Sequence, residues 1–397
     1  VLQNLNNFVI VAVISLIGLI CATAAMAPDI RENTGSSSVA TTIVVKDMME
    51  RNVLLREPAK RAMIFTPMAW HFLTVDETDA HIGWIAPYLK DEAKETLLAK
   101  LFPTFVERRE AAVSFGTIPL GAEQILLDAP DVVLTWAWFS RELEAVHFPG
   151  IIELTGSSDL DEASLFKLLG NLTGKSSRVD ALLQHYQHAV SDIYAHKFSE
   201  AKTRGVMVIG GKDLFFWNAN FDDFNMLVKG AGGRNVAENI KGFGNSPANI
   251  EELIKLDPQV ILLAFYTSNP VMPQDIYDNP ALAGISAVKN HRVYRMPNGA
   301  SRMSGPVETP LLLSWLARLL HPEIDWKESL RDEIAETFRA VYGYTISDDD
   351  IDVFLQVKEN RISVGYDIFE RKHLSQDIFS ILPNSTNVLL QHEENSL

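Results

Sequence analysis

Short apolar runs rich in β-branched residues alternate along this chain with segments whose apolar residues recur at helical spacing, which predicts mainly parallel sheets flanked by helices. Thr41 to Val45, Ala62 to Phe65, His81 to Ile85, Val132 to Trp136, Val206 to Ile209 and Val260 to Ala264 read as strands. Asp91 to Leu101, Glu123 to Leu127, Phe224 to Lys229 and Ile250 to Leu256 read as the helices between them. The longest candidate helix, Ser176 to Lys202, contains no Gly or Pro and carries Val179, Leu182, Leu183, Tyr186, Val190, Ile193 and Tyr194 as one stripe. It reads as a stiff connector between two similar α/β lobes. Pro310 to His321, Leu330 to Val341 and Asp348 to Val357 are again helical, and the residues after Lys372 read as a loose tail.

One apolar run does not fit this rhythm. Phe8 to Ile20 is about thirteen residues long, short of the roughly twenty a membrane span needs but suited to the apolar region of a secretory signal. Residues 1 to 27 are therefore read as a signal peptide, with Ala22 and Ala24, or Ala25 and Ala27, as the small residues before cleavage; the alternative is a retained anchor. The single cysteine, Cys21, lies within this segment, so a cleaved chain has no disulfide and no thiolate metal ligand. The 397 residues are enough for two compact domains, and a hydrophobic share of 47% with 22% charged residues is that of a globular protein. A net charge of −16 argues against a nucleic-acid partner, because phosphate binding rests on clustered Lys and Arg.

The most informative pattern is an internal echo. Ala122-Glu123-Gln124-Ile125-Leu126-Leu127-Asp128-Ala129-Pro130-Asp131-Val132-Val133-Leu134 aligns with Ile250-Glu251-Glu252-Leu253-Ile254-Lys255-Leu256-Asp257-Pro258-Gln259-Val260-Ile261-Leu262, with a Glu at each helix start and a Pro before each strand. A duplicated lobe accounts for the echo, and the helix dipole favours a carboxylate at that position. Enzyme signatures are weak. Gly170-Asn171-Leu172-Thr173-Gly174-Lys175-Ser176 imitates a phosphate loop, but it has Leu169 where that motif needs Gly, and a helix precedes it. Gly242-Phe243-Gly244 lacks the third glycine of a dinucleotide fingerprint, and neither G-x-S-x-G nor H-E-x-x-H occurs. No catalytic residue is assigned, and an exported hydrolase of unfamiliar type is the remaining enzyme alternative.

Taken in order, several segments resemble the solute-binding proteins of ABC importers whose two lobes are joined by one long helix. They are Leu120-Gly121-Ala122-Glu123 leading to Ala129-Pro130-Asp131, Leu169 to Lys175, Gly230-Ala231-Gly232-Gly233-Arg234-Asn235-Val236-Ala237, and Asn249-Ile250-Glu251-Glu252-Leu253 leading to Asp257-Pro258-Gln259. The resemblance implies two Rossmann-like lobes with a ligand cleft between them: residues 41–175 as the N-terminal lobe, 176–202 as the linker helix, 203–345 as the C-terminal lobe and 346–397 as a helical extension and tail. It also implies export to the periplasm, a monomer, and delivery of cargo to a permease dimer with its ATPase. Glu123 and Glu251 match the carboxylates that dock on the permease, with Glu252 replacing Glu251 if the register moves by one. The cargo expected is an iron complex of the ferric siderophore type, with haem, cobalamin, a metal ion or an oxyanion such as molybdate as alternatives. No resident cofactor and no protein-held metal is expected.

In open α/β sheets ligands bind at the carboxyl ends of the strands, so the resemblance selects the loops there. The residues expected to line the cleft are Met68 and Trp70, then Trp84, Trp136 and Trp138 from the first lobe. Trp217, Asn218, Tyr266 and Arg302 are expected from the second, with His71, Phe215, Phe216 and Asn298 nearby. Five of the seven tryptophans are placed in strand-end loops by this reading. Aromatic faces suit a rigid organic chelate, and the guanidinium of Arg302 suits its carboxylate or catecholate oxygens. For haem, His71 or Tyr266 would be the axial candidate.

Overall fold

The computed structural model describes residues 42–371 except 67, 111–124, 126, 138–139, 146, 156–160, 197, 199–203, 211–214, 217–221, 240–245, 248–249 and 265–269. The signal segment, Glu123, Trp138, Trp217, Asn218, Tyr266 and the tail after Arg371 lie outside the described residues.

A hairpin of β1 (Ile43–Lys46) and β2 (Asn52–Leu55) precedes a five-stranded parallel sheet made of β3 (Ala62–Ile64), β4 (Ile82–Ile85), β5 (Arg109–Glu110), β6 (Val132–Trp136) and β7 (Ile151–Leu154), in the order β5-β4-β3-β6-β7. The second sheet contains β8 (Gly205–Gly210), β9 (Phe215–Phe216), β10 (Arg234–Asn235), β11 (Ser246–Pro247), β12 (Val260–Leu263) and β13 (Val293–Arg295), ordered β11-β9-β8-β12-β13 with β10 beside the start of β8. Its central strands β8, β12 and β13 are parallel.

Side-chain alternation divides each sheet between two cores. Ala62, Ile64, Val132, Leu134 and Ile152 of the first sheet share one hydrophobic cluster with Val206, Val208, Val260, Leu262 and Tyr294 of the second. The intervening positions Met63, Val133 and Ile151 face a separate small core, as do Met207, Ile209, Ile261 and Leu263 on the other lobe. Strands buried on both faces read as continuous apolar runs, which is why they were legible as strands.

Among the helices of the described residues are α1 (Ala69–Asp76), α2 (Pro87–Lys94), α3 (Glu162–Thr173), α4 (Ser176–Tyr194), α5 (Asp222–Gly230), α6 (Ile250–Leu256), α7 (Gly305–Leu320), α8 (Leu330–Tyr342) and α9 (Asp348–Phe354). The connector α4 packs on α3 and α7. It stops at Tyr194 rather than Lys202, with no Gly or Pro to mark the end; His196 packs on Trp326 and Phe198 stacks on His321, with ring centroids at 4.4 and 4.5 Å, so tertiary contacts turn the chain. The helix expected from Pro310 begins five residues earlier, at Gly305. Pro310 sits inside it, tolerated because nearly every residue of α7 is buried and packing outweighs a missing N–H. The helix expected over Asp91 to Leu101 is instead α2, which opens at Pro87, followed by a separate short turn of helix at Leu98–Leu101. Asp348 to Val357 is broken at Gln356, whose φ of 52° is left-handed.

The echo in the sequence is an echo in three dimensions. Ile125 and Leu253 are both fully buried, and their carbonyls accept from the N–H of Ala129 and Asp257 at 3.0 and 3.1 Å. Ala129 and Asp257 are both left-handed, with φ of 45° and 41°. The next residues, Asp131 and Gln259, each use a side-chain oxygen to accept backbone N–H groups ahead of the neighbouring strand, from Lys60 and Arg61 in one lobe and Gly205 in the other. The correspondence extends past the sequence match: the turns before β7 and β13 close with the same paired bonds, Phe148 to Leu143 and Arg292 to Ala287, around left-handed His147 and His291.

The two left-handed positions differ chemically, and that sets opposite expectations. Ala129 gains nothing from its side chain there, so Ala129→Gly should raise stability by about 0.5–1 kcal/mol. The Asp257 carboxylate accepts from the Ser286 N–H and hydroxyl at 2.7 and 2.8 Å, bonds that hold its pKa below the usual carboxylate value. Asp257→Gly should therefore lower stability by about 1 kcal/mol. Urea unfolding of both variants checks the pair, and equal signs would refute the account.

Candidate functional site

The carboxyl edges of the two sheets meet. At that edge of the first sheet, β3 leads through residues 65–68 into α1, and β4 leads through Ala86 into α2; at that edge of the second, β13 leads through 296–304 into α7. Side chains from these three connections form one cluster between the lobes.

Its organiser is Glu308 in the first turn of α7, which is fully buried. One carboxylate oxygen accepts the N–H of Ala300 at 2.6 Å, and the other accepts those of Ser301 and Met303 at 2.9 and 3.0 Å. Consecutive N–H groups converge in this way only where the backbone turns left-handed, and Arg302 and Met303 both have a φ of 55°. Gly299 belongs to the same device, because a Cβ there would lie 2.4 Å from the Glu308 carboxylate. Burial raises the Glu308 pKa and the three N–H bonds oppose that rise.

The loop held by Glu308 carries Arg302 across to the first lobe. Its Nε and Nη2 donate to the two oxygens of Glu92 on α2, a bidentate pair, and the guanidinium lies over the Trp70 ring, 5.1 Å from the centroid. Tyr88, one turn before Glu92 on α2, has its phenol pKa pushed above the ordinary range by burial while Arg302 pulls it down. Beside them His71 is buried, edge-on to Phe166, with its Nε2 3.2 Å from the Ser304 hydroxyl. That hydroxyl donates to the Ser301 carbonyl at 2.7 Å, so the imidazole is the donor and Nε2 carries the proton. Burial, and secondarily Arg302, lowers the His71 pKa to about 4. Glu162 at the start of α3 accepts the Gly305 N–H at 2.9 Å and completes the tie between the lobes.

Several expected cleft residues lie elsewhere than in loops. Trp70 and His71 belong to α1, whose eight residues are all buried, and Met68 is its buried N-terminal neighbour. Trp84 is inside β4 and faces the small outer core, with the Arg61 guanidinium 5.5 Å from its ring centroid, so the structure puts it in the sheet and away from the edge. Trp136 is the buried last residue of β6 in the shared core. Asn298 donates its N–H to the Phe354 carbonyl. Arg302 lies between the lobes and is paired with Glu92 rather than a loose surface arginine. Phe215 and Phe216 form β9. Glu251 is exposed in the first turn of α6, as is Glu252. Among the described residues no three His, Cys, Asp or Glu side chains are grouped to hold a metal ion.

Glu92, Glu308 and Ser304 were not singled out from the sequence. Their signals are helix starts: Pro87 before Glu92, and Ser304-Gly305-Pro306-Val307-Glu308, which has a polar cap, a proline and an acid in the first turn. Pro310, two residues after Glu308, drew the expected start of α7 to the wrong place.

Residues 122–300 match the family model described as periplasmic binding protein. Among solved structures the chain is similar to a periplasmic solute-binding protein from Veillonella parvula, at 25% identity with a TM-score of 0.71, over 81% of this chain and 99% of that one. The molybdate-bound protein MolA of Haemophilus influenzae is 18% identical with a TM-score of 0.64, over 77% and 99% of the two chains. Helicobacter pylori CeuE, solved as a nickel-histidine complex, is 19% identical with a TM-score of 0.62, over 79% and 99%. No curated protein is similar enough in sequence to match. Among the described residues no helix is long and apolar enough to cross a membrane.

Proposed function

We propose that this chain acts as a periplasmic solute-binding protein of an ABC importer, a reading supported by the family match over residues 122–300 and the similar fold of a periplasmic solute-binding protein, and that it captures an iron complex of the ferric siderophore type and carries it unchanged to a permease. The observation that carries the choice of cargo is Arg302, a guanidinium fixed between the lobes on the face of Trp70. A fork of N–H donors beside an aromatic plane suits a compact chelate whose metal is wrapped by carboxylate or catecholate oxygens. Proteins of similar fold have been solved with molybdate, with nickel and histidine, and with ferri-bacillibactin, all small metal-bearing solutes. Trp138, Trp217, Asn218 and Tyr266 are proposed to complete the cleft.

On this reading the chain performs no chemistry of its own and reaches the periplasm through its N-terminal signal. It works as a monomer with a permease dimer and its ATPase. Glu123 and Glu251, related by the lobe duplication, would be the docking carboxylates.

The test is a tryptophan-fluorescence titration of the chain without residues 1 to 27, against ferric siderophores with haem, cobalamin and molybdate alongside. Saturable quenching by a ferric chelate at sub-micromolar concentration, weakened about tenfold or more by Arg302→Ala or Trp217→Ala, is the expected result. Quenching by haem, cobalamin or molybdate alone would replace the cargo and keep the transport role. Silence across the panel would overturn the reading.

A further inference from the structure

We propose that Glu92 is a built-in competitor for the cargo: it occupies the oxyanion site of Arg302 and so sets the negative charge a cargo must bring to be accepted. This rests on the cargo reading above and deepens it. The two partners of the pair are held differently. Arg302 stands on a loop whose backbone is fixed by three N–H bonds to buried Glu308, and one face of its guanidinium is covered by Trp70. Glu92 is a long side chain on the surface of α2 and makes its described hydrogen bonds with Arg302.

The Arg302 and Glu92 side chains remain 27% and 20% exposed, so the pair can be reached from solvent. An incoming oxyanion therefore displaces Glu92 by rotation about its side-chain bonds, while Arg302 stays in place. Exchange is close to balanced for a single carboxylate, because one bidentate carboxylate replaces another and Glu92 is left unpaired beside it. It becomes favourable for a ligand that offers a doubly charged oxygen pair or several carboxylates. A neutral chelate gains nothing from Arg302 as long as Glu92 holds it. The class selected is thus an anionic chelate with catecholate or multiple carboxylate arms, and neutral hydroxamate complexes are discriminated against.

The experiment compares wild type, Glu92→Gln, Glu92→Asp and the double variant Glu92→Gln/Arg302→Gln by calorimetric titration with ferric citrate, a ferric tris-catecholate and a neutral ferric tris-hydroxamate. Circular dichroism melting confirms that each variant is folded. Glu92→Gln should tighten binding of the two anionic chelates about tenfold and leave the neutral one unchanged. Glu92→Asp, one methylene short of Arg302, should shift affinity in the same direction, and the double variant should lose the gain. If wild type binds an anionic chelate and Glu92→Gln binds it equally or less tightly, Glu92 is no competitor while the transport reading stands. If no folded form binds any of the three, the competitor proposal and the ferric-cargo reading fall together.

Discussion

Glu308→Ala is expected to lower the free energy of unfolding by about 4 kcal/mol, a loss large enough to threaten the fold of a marginally stable domain. Three backbone N–H groups, those of Ala300, Ser301 and Met303, lose their acceptor in a buried place. Each buried donor left unmade costs about 1–3 kcal/mol, part of which water entering the vacated space recovers. The left-handed backbone at Arg302 and Met303 then has nothing to stabilise it. Glu308→Gln should recover less than half, because its NH2 group must oppose one of the N–H donors whichever way the amide is turned. Urea titration provides the number, and a loss below about 1 kcal/mol for the alanine variant would refute the role given to Glu308.

The second large effect is a pH dependence traced to His71. Burial holds its folded-state pKa at about 4 against 6.5 for the free side chain, so the unfolded chain binds the proton more readily between those values. Stability is therefore fully present above pH 6.5, falls as the pH drops through that window, and levels off below about pH 4. The loss attributable to His71 approaches about 3 kcal/mol, from roughly 1.4 kcal/mol for each pH unit between the two values. His71→Gln, which keeps a donor toward Ser304 but cannot titrate, should flatten this part of the profile. Subtracting the two profiles removes contributions common to both proteins, including that of Asp76, whose pKa burial raises against the pull of His81. Parallel profiles between pH 7 and 4 would show that His71 is protonated without cost.

The strands and the lobe duplication could be read from the sequence because their physics is local and repeated. Val132 to Trp136 and Ile250 to Leu256 have the bounds expected of them, since a run buried on both faces, or a helix closed by a proline turn, announces itself within a dozen residues. The site was less legible. Arg302 was singled out because it follows a strand, but its partner Glu92 is 210 positions away and nothing local links the two. Glu308 looks like an ordinary acid at a helix start; that it faces inward and folds a loop around itself depends on left-handed residues that are not glycine, which no propensity anticipates. Trp70 and Trp84 were assigned to loops because tryptophan is plausible both in a core and at a ligand surface, and only the folded packing, in the shared core for Trp70 and the small outer core for Trp84, separates the two cases.

That shared core also limits how this protein can be re-engineered. One face of each sheet, the connector α4 and most of α7 are packed into one apolar body, so each half of the chain shares its larger interior with the other and keeps only a smaller core of its own. Transplanting a lobe from a relative would break that matched packing and favour aggregation of the exposed halves. The interchangeable units are smaller: the exposed positions within the segments at the carboxyl edges of the sheets, whose buried Met68, Ala86, Met296, Ala300 and Met303 belong to the shared core and stay. A biosensor built on this scaffold would exchange those positions and keep 296–308 as a single piece, since Gly299, Arg302 and Glu308 fold that corner only in each other's company.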